Sequence, residues 1–291
     1  MVEAAAHEIG SRTLRRQVVS LAIPVLIEQT LLYFVGLSDT LITGRYLAED
    51  HLAAVTVAGY LLWFLSSLLT VVSVGATALV ARMFGANERP VAVRITQQAL
   101  LMAMILGTLI AVGGIALAPG IVWALNLRGE PAQLAVVFLR IVLSVTPLLA
   151  CTTAGVACLR GAGDTRTGGW VMVLVNILNV TFTWTLVRGW GPIPAYGFPG
   201  VAAGTAVAEG IGGIIVLVVL ARGRSGLVFN VRDPRPSWPE IRRILRISLP
   251  ATGESLTNVL CQLWFLGLIN RLGPVATGCT AWRSAARPSP S

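Results

Sequence analysis

Seven side chains in this sequence are of types that could hold and release a small cation, and all seven sit in apolar surroundings. Glu28 and Asp39 stand in "IPVLIEQTLLYFVGLSDTLITGR" (23–45), Glu209 in "GTAVAEGIGG" (204–213) and Glu254 in "LPATGES" (249–255). Asn176, Asn179 and Thr183 stand in "VNILNVTFTW" (175–184). An ionised Asp at the centre of a membrane-spanning helix costs about 2.5–3.5 kcal/mol, so such acids face protein or a water-filled cavity instead of lipid. A carboxylate in a partly dry cavity can load a proton, or bind Na⁺ together with carbonyl and amide oxygens.

Spacing groups these residues. Glu28 and Asp39 are 11 residues apart, which on a helix is within about 20° of one face and roughly 16 Å along the axis. Asn176, Asn179 and Thr183 follow at intervals that form one helical stripe. For Asp39 the expected role is cation coupling, against an Asp merely bonded to a neighbouring helix. Asn179 and Thr183 are candidate ligands of the same cation, against plain interhelical hydrogen bonds of about 0.6–2 kcal/mol each. Glu28, Asn176, Glu209 and Glu254 are candidates for a substrate cavity. For Glu28 and Glu254 the local alternative is favoured: each acid satisfies backbone donors or pairs with a basic residue near its helix start. Close helix packing accounts for the glycines around Glu209.

The elements that carry these residues must be membrane helices. The chain has 291 residues, 55% hydrophobic and 12% charged, about half the ~25% charged content of a soluble domain. Leu52–Ala81, Ile95–Leu127, Ile141–Leu159 and Thr167–Val187 contain no Asp, Glu, Lys, Arg or His. About 20 apolar residues cross the hydrocarbon core as a helix. The expected fold is therefore an all-α polytopic membrane protein with seven spans, near 16–45, 52–82, 92–118, 133–159, 168–188, 199–221 and 241–272. A short interfacial helix with Trp123 is expected between the third and fourth. No β-barrel alternation and no cleavable signal peptide are visible.

The net charge of +9 would suggest nucleic acid in a soluble protein. Here arginine placement, in a chain without lysine, reads as topology. With the N-terminus in the cytoplasm, 15 of the 22 arginines fall on inner segments; Arg45, Arg128, Arg140, Arg188 and Arg271 fall outside, and Arg283 and Arg287 in the tail. That bias predicts a cytoplasmic N-terminus in the inner (plasma) membrane. Cys151 and Cys158 lack a His or carboxylate at ligand spacing and read as packing thiols. "RGAGDTR" (160–166) lacks the Gly-Lys-Ser/Thr of a phosphate loop. It reads as a tight turn whose Asp164 caps the next helix or pairs with Arg160 or Arg166.

The segment 222–240 reads as a cytoplasmic linker after a six-span lobe, 1–221. Set Pro24 over Pro250, and Glu28 falls on Glu254, Leu37 on Leu263 and Arg45 on Arg271. Residues 241–278 thus repeat the first span and open a second lobe, the parallel-repeat plan of transporters that hold substrate between lobes. The polar tail 279–291 breaks the repeat. A shifted reading frame is the expected cause, a naturally short protein the alternative.

Three stretches carry a resemblance to the multidrug and toxic compound extrusion (MATE) transporters, in their DinF-like branch: "LAIPVLIEQTLLYFVGLSDTLITGRYL" (21–47), "LRGAGDTRTGG" (159–169) and "VNILNVTFTWTLVRGWGP…GFPGVAAGTAVAEG" (175–210). The resemblance implies a six-helix N-lobe plus the first helix of the C-lobe. It also implies a Na⁺- or H⁺-coupled antiporter, monomeric when full length, that exports amphipathic and often cationic small molecules without a cofactor, an enzyme activity or a nucleic-acid partner. Asp39 matches the family's cation-binding Asp and Asn179 its partner; Thr183 stands where that branch often has a second Asp. A lipid-linked oligosaccharide flippase of the same superfamily would need a cationic cavity, whereas the intramembrane charges here are acidic. A seven-span receptor would place its N-terminus outside. A lone lobe that transports nothing is the third alternative.

Overall fold

In the computed structural model, residues 33–47, 49–190, 194–227 and 236–270 are described, with isolated positions 23, 26, 27, 30 and 31 before them. Among the described residues the chain is helical, with no extended strand. Helix α1 covers 33–46. It is followed by α2 (Glu49–Gly85), α3 (Arg89–Ala124), α4 (Glu130–Ser144), α5 (Thr146–Gly161), α6 (Thr165–Arg188), α7 (Phe198–Ala221) and α8 (Trp238–Asn270).

These helices follow the expected spans in order, with two corrections. The fourth span is broken: α4 and α5 meet at an angle of 55°. The cause is Pro147, which lacks the N–H that would bond the Leu143 carbonyl and whose ring crowds it. The third span does not stop at 118. It runs through Pro119 to Ala124, so the expected separate interfacial helix is the end of α3, with Trp123 exposed on it. By length and apolarity, His51–Leu69, α3, α6 and α7 each suffice to cross a membrane, and the bent α4–α5 pair makes a fifth. Part of the expected first span, the linker 228–235 and the tail lie outside the described residues.

Local chemistry sets the helix ends. Asp164 caps α6, its Oδ1 accepting from the Thr167 N–H at 3.1 Å. The turn between α2 and α3 passes through Asn87 at φ 60°, a conformation that Asn tolerates because its side chain bonds locally. Ser237 precedes α8, and its hydroxyl donates to the Glu240 carboxylate, three residues on.

Two hydrophobic clusters fill the bundle. One, at the end where the linker leaves, includes Val80, Ile95, Leu100, Leu159, Leu220 and Ile244. The other, at the far end, includes Val57, Val122, Phe138, Leu139, Phe198 and Val201. Cys151 and Cys158 are packing residues of the first cluster, as expected. Helix α7 closes on α6 through a row of small residues. A Cβ on Gly200 would lie 2.8 Å from the Leu186 backbone, one on Gly204 2.6 Å from the Thr183 nitrogen, and one on Gly212 2.6 Å from Val175 Cγ2. Glycine at these positions lets the two backbones approach closely. Helix α8 meets α2 in the same way at Gly75, whose N–H donates to Ser248 Oγ at 2.8 Å.

The linker is held against the bundle at both of its described ends. Asp164 Oδ2 accepts from Arg224 Nε and Ser225 Oγ, each at 3.0 Å, and Gln98 Oε1 accepts from the Ser237 N–H at 2.9 Å. The capping role expected for Asp164 holds; its cationic partner is Arg224, 60 residues away, and not Arg160 or Arg166.

Two outcomes follow from this packing. Gly204→Ala should lower stability by about 1–3 kcal/mol through overpacking against Thr183, read as thermal unfolding in detergent. Gly59→Ala, where a Cβ meets nothing within 4 Å, should leave it unchanged or slightly raised. Burial pushes the Asp164 carboxyl up, but donation from Thr167, Arg224 and Ser225 outweighs it and holds the group below its ordinary value of 3.8. A folded value below the unfolded one stabilises the fold above the unfolded value and ceases to do so as pH falls through the folded one. The stability gap between wild type and Asp164→Asn should therefore be full at neutral pH and close as pH falls below 3.8.

Candidate functional site

Helix α1 buries a single stripe: Val35, Asp39 and Thr43, one turn apart, while Tyr33, Phe34, Leu41 and Tyr46 are exposed. Asp39 is 4% exposed and is aimed at α6 and α7. Thr205 Oγ on α7 donates to Asp39 Oδ2 at 2.7 Å. Asn179 Nδ2 on α6 donates to Asp39 Oδ1 at 3.3 Å and to Thr205 Oγ at 3.0 Å. The three residues come from positions 39, 179 and 205 and form one closed triangle across three helices. The triangle sits between the two hydrophobic clusters: Val175 and Ala208 belong to one, Val187 and Val201 to the other.

Around the triangle lie polar oxygens without a hydrogen-bond partner: Thr43 Oγ, Asn179 Oδ1, Thr183 Oγ and Glu209 Oε2. Thr43 is one turn beyond Asp39, Thr183 one turn beyond Asn179, and Glu209 one turn beyond Thr205. Thr43, Asn179 and Thr183 are each 0% exposed and Glu209 8%. Buried polar atoms are normally bonded, so four unbonded oxygens beside a buried carboxylate are an unusual arrangement. Oxygen donors of this kind suit a small hard cation. Among the described residues no cluster of three His, Cys, Asp or Glu side chains that could hold a metal is present.

The structure sorts the candidates read from sequence. Asp39 and Asn179 touch directly, and Thr183 lies beside them. Asn176 shares their stripe but donates its amide to the Met172 carbonyl at 2.9 Å, within its own helix. Glu209 lies next to the triangle. Glu254 is exposed on α8 and takes no part in it. Glu28 lies outside the described residues. Thr205 was not among the candidates, yet it makes the shortest bond to Asp39. Its signal in the sequence is the four-residue spacing to Glu209 on an otherwise apolar helix. Of the basic residues on these three helices, Arg188 is engaged with Tyr46 and Trp184, its guanidinium 5.6 Å and 5.4 Å from their ring centroids. Arg45 and Arg166 are exposed.

Comparison with known proteins bears on the family and the fold. The chain is 28% identical over 265 residues to the probable multidrug resistance protein NorM of Thermotoga maritima, covering 88% of this chain and 55% of that one. Among solved structures it is similar to an outward-facing multidrug resistance MATE family transporter, with a TM-score of 0.78 at 24% identity over 92% of this chain and 59% of that one. It is equally similar to an inward-facing form, with a TM-score of 0.77 at 23% identity over 92% and 60%. The chain thus spans about half the length of the curated relatives it matches and has the fold of part of those transporter structures. The MatE family model matches residues 24–185, more than half of the sequence, and the chain belongs to that family of multi-pass membrane transporters.

Proposed function

We propose that this chain supplies the cation-coupling lobe of an antiporter that exports amphipathic, often cationic small molecules in exchange for Na⁺ or H⁺. The observation that carries the reading is the Asp39 triangle with its unpaired oxygens. Asp39 is held by two donors, Asn179 and Thr205, which fix its direction without neutralising its charge. Asn179 Oδ1 and the Thr43 hydroxyl have no hydrogen-bond partner, and the Thr183 hydroxyl lies beside Asp39. The site contributes position and oxygen ligands; the ion brings the positive charge that the triangle lacks.

Coupling follows from linkage. If ion binding favours one arrangement of the lobe and cargo binding the other, each must weaken the other's affinity by the same factor. The similar fit to inward-facing and outward-facing relatives supports a lobe that keeps its internal packing while its orientation changes, as in rocking-type alternating access. The name of the Thermotoga relative, multidrug resistance protein, supports drug-like cargo. Asn179 beside Asp39 supports the DinF-like branch. We place 1–221 as the N-lobe, 222–240 as a cytoplasmic linker and 241–278 as the start of the C-lobe, in the inner membrane with the N-terminus inside and, at full length, as a monomer.

In a full-length, two-lobed version, Asp39→Asn should reduce drug resistance of an efflux-deficient host to the level of empty vector while membrane expression is unchanged. Thr205→Val removes a hydrogen bond to a charged group, commonly about 1.5–3 kcal/mol, and should weaken ion dependence at least about tenfold; Thr205→Ser should restore it. Resistance that survives Asp39→Asn would remove the coupling role.

A further inference from the structure

The coupling reading leaves one carboxylate without a task. Glu209 is 8% exposed, and its Oε2 has no hydrogen-bond partner. An ionised carboxylate with a buried oxygen that meets no donor is costly, so its persistence in the interior calls for a ligand. The helix register places it. Gly200 abuts Leu186, Gly204 abuts Thr183, and Gly212 abuts Val175. Continuing that antiparallel register sets Glu209 level with Leu178 and Asn179. Asn179 is the residue that bridges Asp39 and Thr205. Thr205, one turn before Glu209 on α7, donates to Asp39 Oδ2 at 2.7 Å.

Among the described residues no basic side chain answers this pair from α1, α6 or α7, or from α4 and α5, which pack on α7: Arg140 is exposed, and Arg160 lies twelve residues beyond Leu148, the α5 residue that Gly213 abuts, about 18 Å along the axis. Arg188 lies nine residues beyond Asn179, about 13 Å along the axis, stacked on Tyr46 and Trp184. Arg45 and Arg166 are exposed. Two neighbouring acids in a dry interior cannot both stay charged unless positive charge is supplied. The unpaired oxygens of Asn179, Thr183 and Thr43 provide neutral ligands. They are buried too completely to admit a bulky cargo, which restricts the occupant to something of ionic size.

We propose that Glu209 is a second anionic ligand of the Asp39 site, so that a fully loaded lobe takes up two small monovalent cations, protons or Na⁺, instead of one. This rests on the coupling reading and extends it. The loading step forms O–H or Na⁺–O contacts at both carboxyl groups, and the same ions leave when the lobe releases them. The net charge change of the site is therefore two per cycle.

Difference infrared spectroscopy on the purified chain in lipid nanodiscs tests this. The protein is moved from sodium-free alkaline buffer to acidic buffer in one arm and to saturating Na⁺ in the other, and the spectrum of the Asp39→Asn/Glu209→Gln double variant is subtracted. Two carboxylate signals should respond in at least one arm, and the arm identifies the ion. Glu209→Gln should remove about half of the response and Asp39→Asn the other half. Carbon-13 glutamate in the wild-type chain should shift only the Glu209 half, an assignment that does not depend on how a variant folds. A response that comes entirely from Asp39 and is untouched by glutamate labelling overturns the two-cation proposal and leaves the coupling reading standing. No response at either carboxylate in either arm overturns both.

Discussion

A carboxylate inside a lipid-embedded bundle must be met by donors that the bundle itself supplies, and the arrangement of α1, α6 and α7 follows from that requirement. Helix α1 is exposed on most of its surface and buries only the stripe Val35, Asp39 and Thr43. Its docking on the lobe is thus partly polar, made through Asp39. The donors have to come from elsewhere, and Asn179 and Thr205 are brought within 3.0 Å of each other on two different helices. Only a close approach of α6 and α7 allows that distance. The small residues at 200, 204 and 212 permit it, because any side chain there would strike the facing helix.

The triangle is satisfied in a particular, incomplete way. A permanently structural Asp would be expected to have its oxygens saturated and its neighbours bonded. Here Asp39 is met by neutral side-chain donors alone, while Asn179 Oδ1 and Thr43 Oγ point into protein without a partner. Contrast Asp164 at the linker end. That acid collects Thr167, Arg224 and Ser225 and is fully used as a latch and helix cap. Two acids in one chain thus show two patterns, one closed and one with unbonded oxygens around it.

Much of this was legible in the sequence. The helical class and the order of spans follow from the length of the charge-free runs. Asp39 and Asn179 stand out because each is polar in a long apolar stretch. Thr205 did not, because threonine is common in apolar helices and bonds its own backbone, as it also does here toward Val201. Asn176 shows the converse: shared helical phase with Asn179 does not decide whether a side chain reaches across or folds back. The break in the fourth span was written in Thr146–Pro147, but hydropathy alone averages over a proline. The Asp164–Arg224 pair joins positions 60 residues apart, and only the tertiary fold selects it over the nearer Arg160 and Arg166.

The central claim is that Asp39 exchanges a small cation and is not a sealed structural group. Carbodiimides modify protonated carboxyl groups in apolar surroundings, so the rate of Asp39 modification, followed by mass spectrometry in lipid, reads its occupancy directly. The account predicts modification that slows when Na⁺ is added or when the medium is made alkaline. An Asp39 that is never modified, or that is modified at one rate under all these conditions, would contradict it.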